Sequence, residues 1–189
     1  MLINVYDFDN TIYRGDSSFD FFRHCAVKYP RVLLSVAGAL PWLIAMVFGL
    51  AEKTRVKERF YRYLRLVPEV EEEVARFWLT HDQNLKNWYF TQKRTDDLII
   101  SASPVFLLEP LMRRLELTFL ASRVDPATGL YDGLNCHGEE KVRRMLEAYP
   151  GAEIAQFYSD SLHDTPLARM AREAFLVKGD ALSPFPLEK

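Results

Sequence analysis

The chain has 189 residues, of which 49% are hydrophobic, 26% charged and 13% aromatic, with 8 glycines and 10 prolines. That balance belongs to a folded globular chain and excludes a mainly disordered or collagen-like one, and the length admits one domain of catalytic size or a core domain carrying a smaller insertion. A formal charge of -2 supplies no overall field that would gather nucleic acid, so no nucleic-acid partner is expected.

The two cysteines, Cys25 and Cys136, stand far apart and outside any Cys/His cluster, which suggests neither a disulfide framework nor a zinc site. The N-terminal apolar run meets Asp7 and Asp9 before it reaches the length of a secretion signal, so a cytoplasmic location is expected.

In chain order, residues 2–6 form a short apolar run rich in β-formers that ends in Asp7-Phe8-Asp9-Asn10-Thr11. This is the pattern of a buried strand emptying into a polar loop. Residues 14–95 show helical periodicity and no strand pattern: Val56, Phe60 and Leu64 recur at four-residue spacing, and Pro68-Glu69 opens a helix with Val70, Val74, Phe77 and Trp78 on its apolar face. A second buried strand, residues 98–100, runs into Ser101-Ala102-Ser103-Pro104, where Ser103 is the expected N-cap and Pro104 the first residue of a helix reaching Arg114, with a kink at Pro110. Residues 117–120, 154–158 and 175–177 read as further buried strands, residues 139–148 and 164–173 as helices, and residues 121–136, rich in turn signals, as a hairpin excursion. Strands alternating with helices predict an α/β fold with a parallel sheet covered on both faces, whose ligand site lies at the carboxyl ends of the strands.

Asp7 and Asp9, two apart on extended backbone, point the same way beyond the first strand, where two carboxylates repel unless a proton or cation joins them. A hard, oxygen-liganded Mg²⁺ resolves the conflict; a plain turn or cap is the alternative.

Asp7-Phe8-Asp9-Asn10-Thr11 resembles motif I of the haloacid dehalogenase-like (HAD) hydrolases. In the right order, Ser101 resembles the hydroxyl residue of motif II, Lys141 in Gly138-Glu139-Glu140-Lys141 the lysine of motif III, and the run from Tyr158 to Asp164 motif IV, with Ser159 where the family usually has glycine. The helical insertion after motif I points to the phosphoserine-phosphatase-like subfamily. The resemblance implies a HAD-like, Rossmann-type core built from residues 1–13 and 96–189, with an all-helical cap, residues 14–95, inserted between motifs I and II.

It also implies chemistry. Asp7 is the expected nucleophile, forming an aspartyl-phosphate, and Asp9 the general acid and base. Ser101 and Lys141 would bind and neutralise the phosphoryl group. Mg²⁺ would be held by the Asp7 side chain, the Asp9 main-chain carbonyl and Asp160, with Asp164 in support. Thr11, Ala102 and Asp16 are candidate substrate contacts; Asp16, nine positions after the nucleophile, either meets an amino or hydroxyl group or caps the helix that starts near Phe19. The histidines, His24, His81, His137 and His163, lack metal-like spacing and are read as structural or exposed.

Residues 32–50 contain no charge. A single membrane crossing there would separate Asp7 from the other motifs, and Gly38 and Pro41 suggest a break between two short helices instead. Burial in the insertion or in a homodimer is the first reading, contact with the inner face of a membrane the second. The basic set Lys53, Arg55, Lys57, Arg59, Arg62 and Arg65 that follows suits anionic lipid or simply a solvated face. The implied activity is Mg²⁺-dependent hydrolysis of a small soluble phosphomonoester such as phosphoserine. The apolar stretch, the Ser-Pro of motif II and the Tyr-Ser-Asp-Ser of motif IV also resemble phosphatidylglycerophosphate phosphatases, making a lipid phosphate the second substrate class. Phosphoryl transfer to another acceptor and a noncatalytic adaptor with the same fold are the remaining readings.

Overall fold

A computed structural model describes residues 1–37 and 53–187. Its sheet has the order β3-β2-β1-β4-β5-β6, formed by β1 (Leu2–Tyr6), β2 (Leu98–Pro104), β3 (Thr118–Ser122), β4 (Glu153–Ser159), β5 (Ala171–Lys178) and β6 (Ala181–Pro184). The first five strands are parallel and β6 pairs antiparallel with β5. Alternate residues of a strand face opposite sides, and the central strands bury both. Ile3 and Val5 of β1 enter one apolar cluster with Phe157, Met145 and Leu167, whereas Tyr6 enters the other with Phe21, Phe77, Trp78 and Leu111. On the second face the ring of Tyr158 stacks between Tyr6, at 4.7 Å, and Phe175, at 4.9 Å, continuing the strand register across β1, β4 and β5.

Between β1 and β2 the described chain is helical: α1 (Ser17–Lys28), α2 (Val32–Ala37), α3 (Lys53–Tyr61), α4 (Val70–His81) and α5 (Asn87–Gln92), with short 3-10 turns at Arg62–Leu66 and Asp82–Asn84. After β2 come α6 (Val105–Arg114), α7 (Glu139–Ala148) and α8 (Thr165–Ala168). Most of the uncharged stretch 32–50 lies outside the described residues, so its expected burial, dimer or membrane contact does too. No helix among the described residues is long and apolar enough to cross a membrane.

Several local expectations are corrected. β2 does not stop at residue 100 but continues to Pro104, so Ser103 is a strand residue and Pro104 itself the N-cap of α6, without a capping side-chain bond. The Ser103 hydroxyl has a stronger call on it, the Asp9 carboxylate. The helix expected over residues 164–173 shrinks to a 3-10 turn, Leu162–Asp164, and α8, because residues from Ala171 on are drawn into pairing with β4. The hairpin expected over residues 121–136 reduces to one antiparallel bridge, Val124 to Tyr131. β6 carried no sequence signal.

The helical segment has its own buried ion cluster. The Glu73 side chain on α4 has 0% exposure, and its Oε1 accepts from Lys28 Nζ at 2.6 Å, Arg76 Nη2 at 2.6 Å and the Tyr29 hydroxyl at 2.7 Å, with His24 Nε2 3.3 Å from Oε2. Burial alone would raise its pKa; Arg76, Lys28, Tyr29 and His24 more than reverse this and hold the carboxyl well below the usual carboxylate range. A depressed carboxyl pKa stabilises the fold fully above the unfolded value and less as pH falls through the folded one. Glu73→Gln is therefore expected to cost about 2 kcal/mol at neutral pH. In urea titrations the gap between wild type and variant should hold steady down to about pH 4.5, near the unfolded pKa, and narrow below it. A gap that widens on acidification would contradict this account.

Candidate active site

The site forms where β1, β2 and β4 end. The Asp7 amide continues the β1–β4 ladder by donating to Tyr158 O at 2.9 Å, after which the chain wraps tightly: the amides of Thr11, Ile12 and Tyr13 all point at Phe8 O, and the Asn10 amide donates to Gly15 O at 2.9 Å. Asn10 takes φ 56°, a left-handed conformation that asparagine tolerates better than most residues.

Asp7 is buried and held from both oxygens. Lys141 Nζ donates to Oδ1 at 2.6 Å and the Thr11 hydroxyl to Oδ2 at 3.2 Å. The same ammonium donates to Asp164 Oδ2 at 2.7 Å, and the Lys141 side chain is only 2% exposed. Gly138 precedes α7 at φ 59°, ψ -126°, a backbone state that glycine adopts at little cost, and this turn delivers Lys141 from the first turn of α7. Ser159, in the place usual for glycine, donates to Asp164 Oδ2 at 2.8 Å and accepts from the Ser161 amide at 3.1 Å, so the departure adds a hydrogen bond behind the lysine.

Asp9 lies on the other side of the site. Its Oδ1 accepts from the Ser17 amide at 2.7 Å and its Oδ2 from the Ser103 hydroxyl. Because Ser103 donates to Asp9, the chain behind it has one direction: the Tyr61 hydroxyl donates to Ser18 at 2.9 Å, and Ser18 donates to Ser103 at 3.1 Å. Burial raises the Asp9 pKa to about 6, with Asp16 adding to the effect and Ser103 and Ser17 opposing it. A carboxyl in that range can both give and take a proton near neutral pH. Burial also raises Asp7, Lys141 opposes it, and Asp164 and Asp9 add repulsion. Burial and Asp164 likewise raise Asp160. Burial disfavours the charge on Lys141, but Asp7 and Asp164 outweigh it and keep the ammonium protonated.

The other expected residues fall as follows. Ser101, 1% exposed within β2, accepts from the Ser103 amide at 3.0 Å, which leaves its own proton as a donor. Ala102 is partly buried beside it. Thr11 is fully buried and turned inward: besides donating to Asp7 it accepts from the Asp160 amide at 3.0 Å, so it holds the two acidic loops together instead of facing a substrate. Asp16 is the N-cap of α1, accepting from the Phe19 amide at 2.9 Å, and still lines a cavity of about 200 Å³ with Asp9, Ser18, Phe19, Lys57, Phe60, Tyr61 and Ser103.

Two lysines had no local signal. Lys57 belongs to the basic run of α3, yet it is partly buried over this cavity, 3.3 Å from Asn135 Oδ1, and desolvation lowers its pKa against the pull of Asp16 and Asp9. Lys86 is buried behind the motif I loop. Only the chain's return across more than 40 residues places them there, which no spacing rule can anticipate.

The Lys141 ammonium bonds Asp7 and Asp164, and Asp9 and Asp160 stand within electrostatic reach of that pair, so the carboxyls outnumber the ammonium that is bonded to them. Among the described residues no group of three or more His, Cys, Asp or Glu side chains could hold a metal by itself. Two carboxylates and a main-chain carbonyl, all hard oxygens in an over-acidic pocket, nevertheless fit Mg²⁺.

Buried strand-end carboxylates, a bridging lysine and a neutral-range acid define a hydrolase-type α/β site. The sequence matches the haloacid dehalogenase-like hydrolases over residues 5–169, and the chain belongs to that family of enzymes. No curated protein matches it. Among solved structures, a protein of unknown function from Bordetella pertussis Tohama I is similar with a TM-score of 0.72 and 18% identity, over 92% of this chain and 88% of that one. A phosphoserine phosphohydrolase-like protein from Francisella tularensis gives a TM-score of 0.56 and 13% identity over 92% and 86%. A phosphoserine phosphatase described as a phospho-aspartyl intermediate analogue gives 0.53 and 16% over 92% and 84%. At these identities the likeness is one of fold: the HAD fold that phosphoserine phosphatases share.

Raised carboxyl pKa values make protons compete with a cation near neutrality. Calorimetric titration with Mg²⁺ should therefore show affinity falling steadily from about pH 8 to about pH 5.5, where ordinary carboxylates would give a flat profile. A flat profile would remove the argument for a cation at Asp7 and Asp160.

Proposed function

We propose that the protein is a Mg²⁺-dependent phosphomonoesterase working through an aspartyl-phosphate on Asp7. The observation that carries this reading is the buried Asp7 carboxylate, fixed through Oδ1 by Lys141, close to an Asp9 carboxyl poised at about 6. An Asp7 oxygen attacks phosphorus as the ester P–O bond breaks, and protonated Asp9 gives its proton to the departing oxygen. Asp9, now a carboxylate, takes a proton from water as that water attacks the phosphoryl group; the Asp7–phosphorus bond breaks, inorganic phosphate leaves and Asp9 is protonated again. Lys141 and the Ser101 hydroxyl stabilise the phosphoryl oxygens. The Asp7 side chain, the Asp9 carbonyl and Asp160 would hold Mg²⁺, which would supply charge neutralisation; Asp164 acts through Lys141, whose ammonium it shares with Asp7.

For the substrate we favour a small soluble phosphomonoester whose leaving group carries a second anionic group, as the carboxylate of phosphoserine would. Lys57 supports this, since it stands over the cavity on the Asp9 side, where a leaving group would sit.

Two measurements test the reading. Asp7→Asn should lower hydrolysis of an aryl phosphate by more than about 1000-fold with the fold intact, and chelation should abolish wild-type activity until Mg²⁺ is restored; variant activity within tenfold of wild type would sink the nucleophile assignment. In a screen of phosphoserine, sugar phosphates, nucleotides and phosphatidylglycerophosphate, Lys57→Ala should raise KM about tenfold for the preferred anionic substrate and leave a neutral aryl leaving group unaffected. Equal losses on both would exclude Lys57 from recognition.

A further inference from the structure

The motif I loop is braced from outside by a segment that the reaction itself does not use. Residues 84–86, just before α5, run alongside residues 10–14: the Arg14 amide donates to Asn84 O at 2.8 Å, Tyr13 bridges to Leu85, and the Lys86 amide donates to Ile12 O at 2.8 Å. The Lys86 side chain then turns under the loop. Its Nζ donates to Asn10 O, the carbonyl of the left-handed residue between Asp9 and Thr11, and at 2.6 Å to Gly179 O in the β5–β6 turn. Lys86 is 3% exposed, and an ammonium that far from water is tolerated only where its hydrogen bonds are made. The same turn is tied to the loop a second time on the surface, where Arg14 Nη2 pairs with Asp180 at 2.9 Å.

Three stretches far apart in sequence thus meet on one nitrogen: the catalytic loop, the residues just before α5 and the turn after β5. Asparagine tolerates the left-handed region but is not confined to it, and the Asn10 amide bond to Gly15 fixes only one side of that residue. The bond from Lys86 fixes the other. Thr11 follows directly, and its hydroxyl sets both Asp7 and the Asp160 amide.

We propose that Lys86 is a positioning residue for this site: its buried ammonium clamps the Asn10 carbonyl against the β5–β6 turn and so fixes the peptide geometry between the candidate nucleophile and the residues that orient it. A bare structural strap would contribute to stability and nothing else. A positioning residue must also change how well the loop is preorganised, at constant substrate recognition, because Lys86 is not among the residues that line the cavity.

The inference rests on the phosphomonoesterase reading only for its kinetic arm. Lys86→Met keeps the aliphatic stem and removes the donors; it should lower kcat for an aryl phosphate by about 100-fold, the loss expected when reacting groups drift by about an ångström, with KM within threefold. Hydrogen exchange, which needs no activity, should show the amides of Asn10, Thr11, Ile12 and Tyr13 exchanging at least tenfold faster while those of β1 and β4 are unchanged. Arg14→Gln, which cuts only the surface tie, should keep kcat within twofold. Lys86→Gln, which keeps a neutral donor, is measured in the same way so that the result does not depend on one variant folding. Unchanged loop exchange together with wild-type kcat in folded Lys86 variants would overturn the proposal, as would an equal kcat loss in Arg14→Gln. If wild type hydrolyses no phosphomonoester, the activity reading fails, while the exchange arm still decides whether Lys86 orders the loop.

Discussion

Everything at this site depends on bringing several carboxylates together out of water. Asp7, Asp9, Asp160 and Asp164 come from two strand ends and the loops after them, and burial together with neighbouring charge destabilises the anions of Asp7, Asp9 and Asp160. Lys141 makes the arrangement tenable by donating to Asp7 and Asp164 at once. A buried ion pair seldom adds net stability to a fold, because desolvating the charges offsets their attraction. The yield here is an Asp7 carboxylate fixed in a strongly acidic setting, a property that a phosphoryl-transfer site needs and a merely stable core does not; in the proposed reaction a cation would answer that charge.

The parallel sheet explains why these groups can meet at all. In the order β3-β2-β1-β4-β5 the adjacent strands β2, β1 and β4 finish side by side, so Ser101, Asp7 and Asp160 reach one edge although more than 90 residues separate Asp7 from Ser101. The helical segment then adds what the sheet edge lacks. Ser17 and Ser18 at the start of α1 and Tyr61 at the end of α3 complete the hydrogen-bond chain to Asp9, and Lys57 closes the cavity beside it.

How much of this was legible follows from whether a feature is local. β1 and the loop after it announce themselves because an apolar run must stop where Asp7 and Asp9 begin, and the helix carrying Lys141 because Gly138 and the two glutamates after it mark an N-terminus. Asp16 was readable in both its senses, and the capping role is the one its carboxylate performs. Ser103 misled because a serine before a proline is a good local cap, while the distant Asp9 competes for its hydroxyl more effectively. The helix expected over residues 164–173 failed for the same reason, a non-local one: pairing with β4 took residues from Ala171 on. Lys57 and Lys86 were ordinary charges in the sequence, and folding left the first partly buried and the second buried.

That division has a consequence for how the chemistry and the specificity of this fold are separated. The groups around Asp7 all come from the sheet edge and the loops and helix attached to it: Lys141, Asp164, Thr11 and Ser159. Those on the Asp9 side come mostly from the inserted helices: Ser17, Ser18, Lys57, Phe60 and Tyr61. In the proposed reaction the phosphoryl group meets the first set and the leaving group the second. A change in the helical segment could then alter which alcohol is released without disturbing the attack on phosphorus, provided that it spares two contacts on which the chemistry itself depends: the Ser17 amide on Asp9, and Lys86, whose ammonium bonds the loop between Asp9 and Thr11. Those two contacts are the physical limit on how freely the insertion can vary while the same chemistry continues beneath it.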